Sequence, residues 1–299
     1  MNASFKKDIF NDIIGKKDVK FQIQSALAAN RHIILVGPPG CGKTTFAKNI
    51  AKALPQQVFV RVQGSPDLTA EDLLGDIDPI KALEFGPMSE QAFTQGKIFK
   101  ADKGVLFFDE VNRCPQKIQN ALLQVLQEKN ATIGGYDIDF PADFVFIGTM
   151  NPEDSSTEKL STVFLDRFDI IEVGYPDTLE DEIEIVKISG LNKITFPEIL
   201  LKNTVDYVRS LRNSDKLAKV PSVRATIGLY ERAQSNAYLH DREQVTQEDV
   251  GKAIESVLAH RIELKPSIKY LKKPEVFVEE EFQKFMSQKY NQDNESDVG

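Results

Sequence analysis

Residues 33–45 read Ile33-Ile-Leu-Val36, then Gly37-Pro38-Pro39-Gly40-Cys41-Gly42-Lys43-Thr44-Thr45. The first four residues form a short, mostly β-branched run bounded by glycine and proline, which is the pattern of a buried strand. The next stretch fits GxxxxGK[ST]. Its glycines let backbone N–H groups turn inward and approach a polyphosphate closely. Phe46 to Leu54 then continue as a helix that ends before Pro55. A helix starting there aims its N-terminal amides and its dipole at the same anion. Lys43 is the residue to reach the β- and γ-phosphates, and Thr44 the one to place a hydroxyl on Mg²⁺. A chance glycine-rich loop would not need a strand before it and a helix after it.

A second apolar run, Val105 to Phe108, ends in Asp109-Glu110. An acid at the end of a buried strand stands at the carboxyl edge of the sheet, beside the phosphate loop. In that place Asp109 would hold Mg²⁺ through water, and Glu110 would orient or deprotonate the attacking water. An Asp-Glu pair alone is usually a solvated strand end. Here it closes an apolar strand and comes 66 residues after Lys43.

Outside these stretches the chain is ordinary globular material. Its 299 residues suggest about two domains, with 41% hydrophobic and 27% charged residues. Two cysteines, Cys41 and Cys114, are too few for a disulfide framework or a cysteine-rich metal site. His32, His240 and His260 are scattered and read as packing or surface residues. No stretch reaches the roughly 18 apolar residues that span a bilayer, and Met1 to Asp12 lack the apolar core of a signal peptide. These features lead to the expectation of a soluble, cytoplasmic protein. The net charge of −8 does not attract phosphate backbones.

The periodicity predicts helices at 18–29, 117–129, 179–189, 197–212, 223–240 and 247–262, and strands at 57–62 and 144–148. Residues 64–96 are irregular, with short helical pieces expected at 68–74 and 88–93. Residues 130–140, with Gly134-Gly135, spell a hairpin. After Tyr175-Pro176 only helical patterns remain. The expected fold is therefore α/β: a three-layer αβα core with a parallel sheet at 1–175, and a small all-helical domain at 176–270. Residues 271–299 are expected to be a partly disordered tail, with one more helix in FVEEEFQKF (277–285).

At this point the chain resembles an AAA+ ATPase of the MoxR and magnesium-chelatase ATPase-subunit group, over about residues 8–265. The motifs are GPPGCGKTT (37–45), LFFDEVNR (106–113), NALLQVLQE (120–128), FIGTMNP (146–152), FLDRFD (164–169), PSVRA (221–225) and VLAHRI (257–262). Their order and spacing are specific together, and no single late motif is. The resemblance implies ATP and Mg²⁺ as cofactors, a homo-oligomeric ring such as a hexamer, and active sites between neighbours. It implies that Asn151 is sensor 1, that Arg167 is an arginine finger presented to the next subunit, and that Arg224 is the lid arginine called sensor 2. Whether Arg224 serves its own nucleotide or a neighbour's stays open. Ile13-Ile14-Gly15 resembles the segment that packs on adenine, and equally suits an ordinary start to the first helix. The resemblance also places a helix-2 insert at 64–96 and a pre-sensor-1 hairpin at 130–140.

Three machines share this architecture: a remodeller of a partner protein, often one with a von Willebrand A domain; a metal-chelatase motor subunit; and a DNA translocase. Residues 64–95 contain Asp67, Glu71, Asp72, Asp76, Asp78, Glu84 and Glu90 against Lys81 alone. Residues 128–143 contain Glu128, Asp137, Asp139 and Asp143 against Lys129 alone. A DNA-tracking loop needs cations to neutralise phosphates, so carboxylates here disfavour nucleic acid. Single- or double-stranded DNA is accordingly expected to leave the ATPase rate unchanged at physiological salt. Strong stimulation that disappears as salt rises would reverse the reading.

Overall fold

The computed structural model describes residues 9–86, 89–133, 136–152 and 160–296. The chain divides into two compact units, Met1–Gly174 and Tyr175–Gly299.

Five parallel strands form the sheet of the first unit: β1 His32–Val36, β2 Phe59–Gln63, β3 Val105–Asp109, β4 Val145–Met150 and β5 Phe168–Glu172. Their spatial order is β2-β3-β4-β1-β5. The apolar runs are uninterrupted because both faces of the sheet are covered. Ile33, Leu35, Val105, Phe107 and Ile147 enter one buried cluster with Ile23, Phe46 and Ile50 of the helices Lys17–Ala28 and Lys43–Ala53. Ile34, Leu106, Phe108 and Phe146 enter another with Ile118 and Leu122 of the helix Gln116–Glu128. Alternate residues thus serve alternate faces, and the expected three-layer core follows.

The sequence pattern does not predict β5. It sits at the sheet edge, and its residues Asp169, Ile170 and Glu172 are not buried. The continuous apolar run that marks a central strand is therefore missing. The insert at 64–96 also differs from expectation. Ala70–Leu74 is helical, with a Thr69–Asp72 capping box, but the longer helix is Pro79–Phe85, capped by Asp78. Of the expected piece at 88–93, Glu90–Ala92 form a single 3₁₀ turn and residues 87–88 lie outside the described residues. Proline at the first helical position after an aspartate cap is the signal that marks the true start. Gly75–Ile77 and Phe93–Gln95 close the insert as an antiparallel pair. The strands Asn130–Ile133 and Tyr136–Pro141 pair as a hairpin, while its Gly134-Gly135 turn lies outside the described residues.

The second unit contains the helices Leu179–Ser189, Glu198–Arg212, Val223–Leu239, Gln247–Leu258 and Pro274–Ser296. Thr178–Asp181 and Thr246–Asp249 capping boxes open the first and fourth. An antiparallel pair, Leu217–Lys219 with Glu263–Leu264, adds a small β element. The helix expected at 247–262 gives way at Leu258 to a 3₁₀ turn leading into that strand. Within the stretch expected as a tail from residue 271, the helix expected at 277–285 is present and longer. Pro274–Ser296 is one helix, and its Phe277, Val278, Phe282 and Met286 join Tyr207, Leu229 and Ile254 in the core of the unit. Burying a large apolar side chain contributes about 1.5–3 kcal/mol, enough to hold the segment against its polar composition.

Among the described residues of this unit, two carboxylates are fully enclosed, Glu182 and Asp249, the latter paired with Arg242. Glu182 receives hydrogen bonds from Arg212 Nη1 and Nη2, both at 2.7 Å, from Thr226 Oγ1 at 2.7 Å and from Arg209 Nη1 at 3.1 Å. Burial pushes its carboxyl up, but the Arg212 contacts, then Thr226 and Arg209, outweigh burial and hold it below the usual range. A lowered folded value contributes stability above the ordinary glutamate value of about 4.3, and the contribution is lost as pH falls through the folded value. Breaking such a pair from one side costs about 3–5 kcal/mol because the other charge stays buried. Glu182→Leu is expected to lower unfolding free energy by that order in urea titrations at pH 7. The deficit against wild type is expected to shrink below pH 4.

Candidate active site

The phosphate loop is pinned at its start by the sheet. The Val173 N–H donates to the Val36 carbonyl at 2.7 Å, and the Gly37 N–H donates to the Met150 carbonyl at 3.1 Å. A Cβ at Gly37 would lie 2.1 Å from the Val173 oxygen, so only glycine fits. Gly40 and Gly42 have φ of 77° and 93°, the left-handed region that glycine enters without a Cβ penalty. The helix starts at Lys43, and no side chain caps it at Gly42. Lys43 Nζ donates to the Gly37 and Pro38 carbonyls at 2.6 and 2.8 Å, which holds the ammonium over the loop. Cys41 Sγ lies 3.9 Å from that nitrogen, and burial pushes its thiol up. Thr44 and Thr45 follow in the first helical turn.

The acid pair closes β3. Asp109 Oδ1 accepts from Thr149 Oγ1 at 2.6 Å, and Asp109 Oδ2 meets Arg61 Nη2 at 2.6 Å. Glu110 leaves the strand in the left-handed region, with φ of 56°, which costs a non-glycine residue on the order of 1 kcal/mol. Its N–H donates to Thr149 Oγ1 at 2.9 Å. Its carboxylate Oε2 accepts from Gln63 Nε2 at 3.0 Å and pairs with Arg113 Nη1 at 3.2 Å. Gly64 passes so close that a Cβ there would lie 2.1 Å from the Glu110 carbonyl oxygen. The chain beside the acid pair therefore requires glycine.

Parallel register brings these pieces to one edge. Val36 pairs with Met150, and Phe108 pairs with Gly148. Gly37, Asp109-Glu110 and Asn151 thus leave the sheet at neighbouring strand ends. Ile13 and Cys41 pack against the same buried cluster, while Gly15, with φ of 62°, turns the chain into the first long helix next to Ile14.

Arg167 lies elsewhere. It directly precedes β5, and His32 pairs with Phe168, so Arg167 stands level with Arg31 at the opposite edge. Its Nη1 donates to the Val163 carbonyl at 2.6 Å, and Asp169 is paired with Arg31 at 3.0 Å. With the Gln127 amide oxygen turned toward it, Arg167 also donates from Nη2 at 2.8 Å. Arg224 is exposed in the first turn of Val223–Leu239, within the second unit.

Four residues of this site have no role assigned by the sequence reading: Arg61, Gln63, Arg113 and Thr149. Arg113 is part of the quoted LFFDEVNR motif, and Thr149 is part of FIGTMNP, one residue past the Phe108–Gly148 pair, where its hydroxyl meets Asp109. Arg61 and Gln63 alternate along the edge strand β2, which is a visible signal: a strand next to the acid pair with polar residues on one face.

A family model described as "AAA domain (dynein-related subfamily)" matches residues 32–168, and one described as "AAA lid domain" matches residues 212–281. Chaperone MoxR1 of Mycobacterium tuberculosis is 30% identical over 290 residues, covering 84% of this chain and 73% of that protein. The chain belongs to the MoxR-type AAA+ ATPases. Magnesium-chelatase subunit ChlI of Trieres chinensis is 25% identical, covering 86% of this chain and 90% of the other. A solved structure of a Thermotoga maritima RuvB mutant shares the fold, with a TM-score of 0.56 at 20% identity over 85% of this chain and 74% of the other. This MoxR-type protein is an ATP-hydrolysing enzyme with a nucleotide-binding core. Among its described residues, no helix is long and apolar enough to cross a membrane.

Thr149 is fully buried and ties both acids to β4 with one hydroxyl. Thr149→Val keeps the volume but leaves the Glu110 N–H and an Asp109 oxygen without that partner. An unmade buried hydrogen bond costs about 1–3 kcal/mol. The variant is expected to lose stability of that order in denaturant titration and to lose turnover more than nucleotide affinity.

Proposed function

We propose that this MoxR-type ATPase works as a homo-oligomeric ring, a hexamer being the expected form, that uses ATP·Mg to remodel or activate a partner protein. The roles divide as follows. The loop Gly37–Thr45 and Lys43 bind the phosphates, Ile14 and Gly15 border the base, and Glu110 and Asn151 position the attacking water. Thr44 and Asp109 hold Mg²⁺. A hydroxyl and a carboxylate suit this hard cation, which keeps several waters and takes phosphate oxygens in place of an all-protein cage. When bound, the ion neutralises charge that develops on the transferred phosphate. Arg224 is proposed to contact nucleotide from the lid.

The observation that carries the ring reading is the position of Arg167. From its level at Arg31 to Gly37 there are six residue steps along β1, or about 20 Å at ~3.3 Å per residue. A guanidinium at that edge cannot serve its own phosphate loop, but it suits the γ-phosphate of a neighbour. Its resting partners, a carbonyl and an amide, are neutral and release it at little cost.

Support for a protein client comes from the acidic loops and from the relative named as a chaperone. A von Willebrand A domain is the partner type the motifs suggest. The match to ChlI across 90% of its length favours a second reading, the motor subunit of a metal-chelatase-like complex.

Mixing inactive subunits tests the shared site. Arg167→Ala and Glu110→Gln chains are each expected to bind nucleotide and to hydrolyse poorly, since arginine fingers contribute about 10³–10⁵ in rate. Mixed assemblies contain interfaces with an intact Glu110 facing an intact Arg167 and are expected to regain ATPase activity. Mixed assemblies that form without any recovery would disprove action across the interface.

A further inference from the structure

The cation paired with Asp109 is Arg61, and nothing in phosphate binding explains it. Arg61 Nη2 lies 2.6 Å from Asp109 Oδ2, where the arginine side chain is 54% exposed and the carboxylate 18%. The same nitrogen donates to Gln63 Oε1 at 3.2 Å, which turns the Gln63 amide so that its Nε2 faces Glu110 Oε2 at 3.0 Å. Arg61 therefore occupies the acid proposed to hold the metal. Through Gln63 it also fixes the donor on the acid proposed to handle water. β2 supplies both side chains from one face, in register with β3: Arg61 opposite Phe107 and Gln63 opposite Asp109.

We infer that Arg61 is a built-in counter-ion of the resting site, displaced from Asp109 when a magnesium–nucleotide complex arrives. A guanidinium and a divalent cation compete for the same carboxylate oxygens. The half-exposed arginine has solvent to move into, whereas Asp109 is held in place by Thr149. Once Arg61 leaves, Gln63 loses the donor that orients its amide, which loosens one of the two side-chain contacts on the Glu110 carboxylate, while the Arg113 pair remains. Lys43 does not play this part, because loop carbonyls hold its ammonium.

This inference rests on the proposed reading of Asp109 as a metal ligand, and the experiment separates the two. Mn²⁺ stands in for Mg²⁺, ADP replaces ATP so that no turnover occurs, and free Mn²⁺ is counted by electron paramagnetic resonance with the full chain. An ion pair between partly exposed groups is worth up to about 1 kcal/mol, so Arg61→Gln is expected to tighten Mn²⁺ binding roughly two- to fivefold. Arg61→Lys keeps a competing charge and is expected to stay near wild type. Lys103→Gln removes a cation that pairs with Asp143 before the start of β3, and is expected to change nothing. Asp109→Asn is expected to weaken Mn²⁺ binding. If Asp109→Asn weakens binding but Arg61→Gln leaves it unchanged or weaker, Arg61 orients or merely accompanies the carboxylate, and the counter-ion inference falls alone. If Asp109→Asn has no effect, the metal assignment and this inference fall together.

Discussion

Parallel pairing of β1, β3 and β4 is the constraint on which the site depends. Because Val36 lies against Met150 and Phe108 against Gly148, three strands end together at one edge of the sheet. Each end then carries one kind of chemistry: a turn of backbone amides with a lysine, a pair of acids, and an amide side chain. A shift of one residue in any pairing would turn that strand's apolar residues toward the wrong layer, since alternate positions serve the two buried clusters. Core packing therefore fixes the register, and register places the chemistry. Thr149 completes the link, because a single buried hydroxyl sets both Asp109 and the Glu110 backbone against β4.

Much of this was legible in the sequence for a physical reason. Central strands of a doubly covered parallel sheet are uninterrupted apolar runs, so Ile33–Val36, Val105–Phe108 and Phe144–Gly148 announce themselves, along with the residues that follow them. The edge strands lack that signature. Phe168–Glu172 is half exposed and broken by Asp169 and Glu172, so its motif residues were visible while its conformation was not. The contacts of Arg61 and Gln63 were hidden for the same reason. Their strand could be recognised, but which polar residues meet the acid pair depends on the neighbour in the sheet, and sheet order is not written locally.

The second unit shows where composition misleads. The stretch after residue 271 is rich in Glu, Gln, Lys and Asn, the profile of a solvated tail, yet Phe277, Val278, Phe282 and Met286 recur at helical spacing and close the hydrophobic core. Periodicity within a polar segment outweighs its mean hydropathy, because only the buried stripe needs to be apolar. Glu182 shows the complementary case. A fully enclosed carboxylate looks like a surface residue in the sequence, and only the convergence of Arg209, Arg212 and Thr226 makes its burial tolerable.

In the proposed ring, the two edges of the sheet carry opposite halves of one reaction. At the edge of Gly37, Asp109 and Asn151 stand the groups suited to hold nucleotide, metal and water. At the other, level with Arg31, stands a guanidinium suited to stabilise the charge that forms. A rigid sheet keeps them about 20 Å apart in one chain. The same rigidity that aligns the first set prevents the second from reaching it. On the proposed reading, turnover that needs both halves depends on a neighbour's edge, and assembly becomes a condition of chemistry. Within one chain, Arg61 plays the opposite part: it places a cation on Asp109, while Arg113 pairs with Glu110. Both acids then have cationic partners from their own chain, and the Arg167 guanidinium rests on the Val163 carbonyl at the other edge.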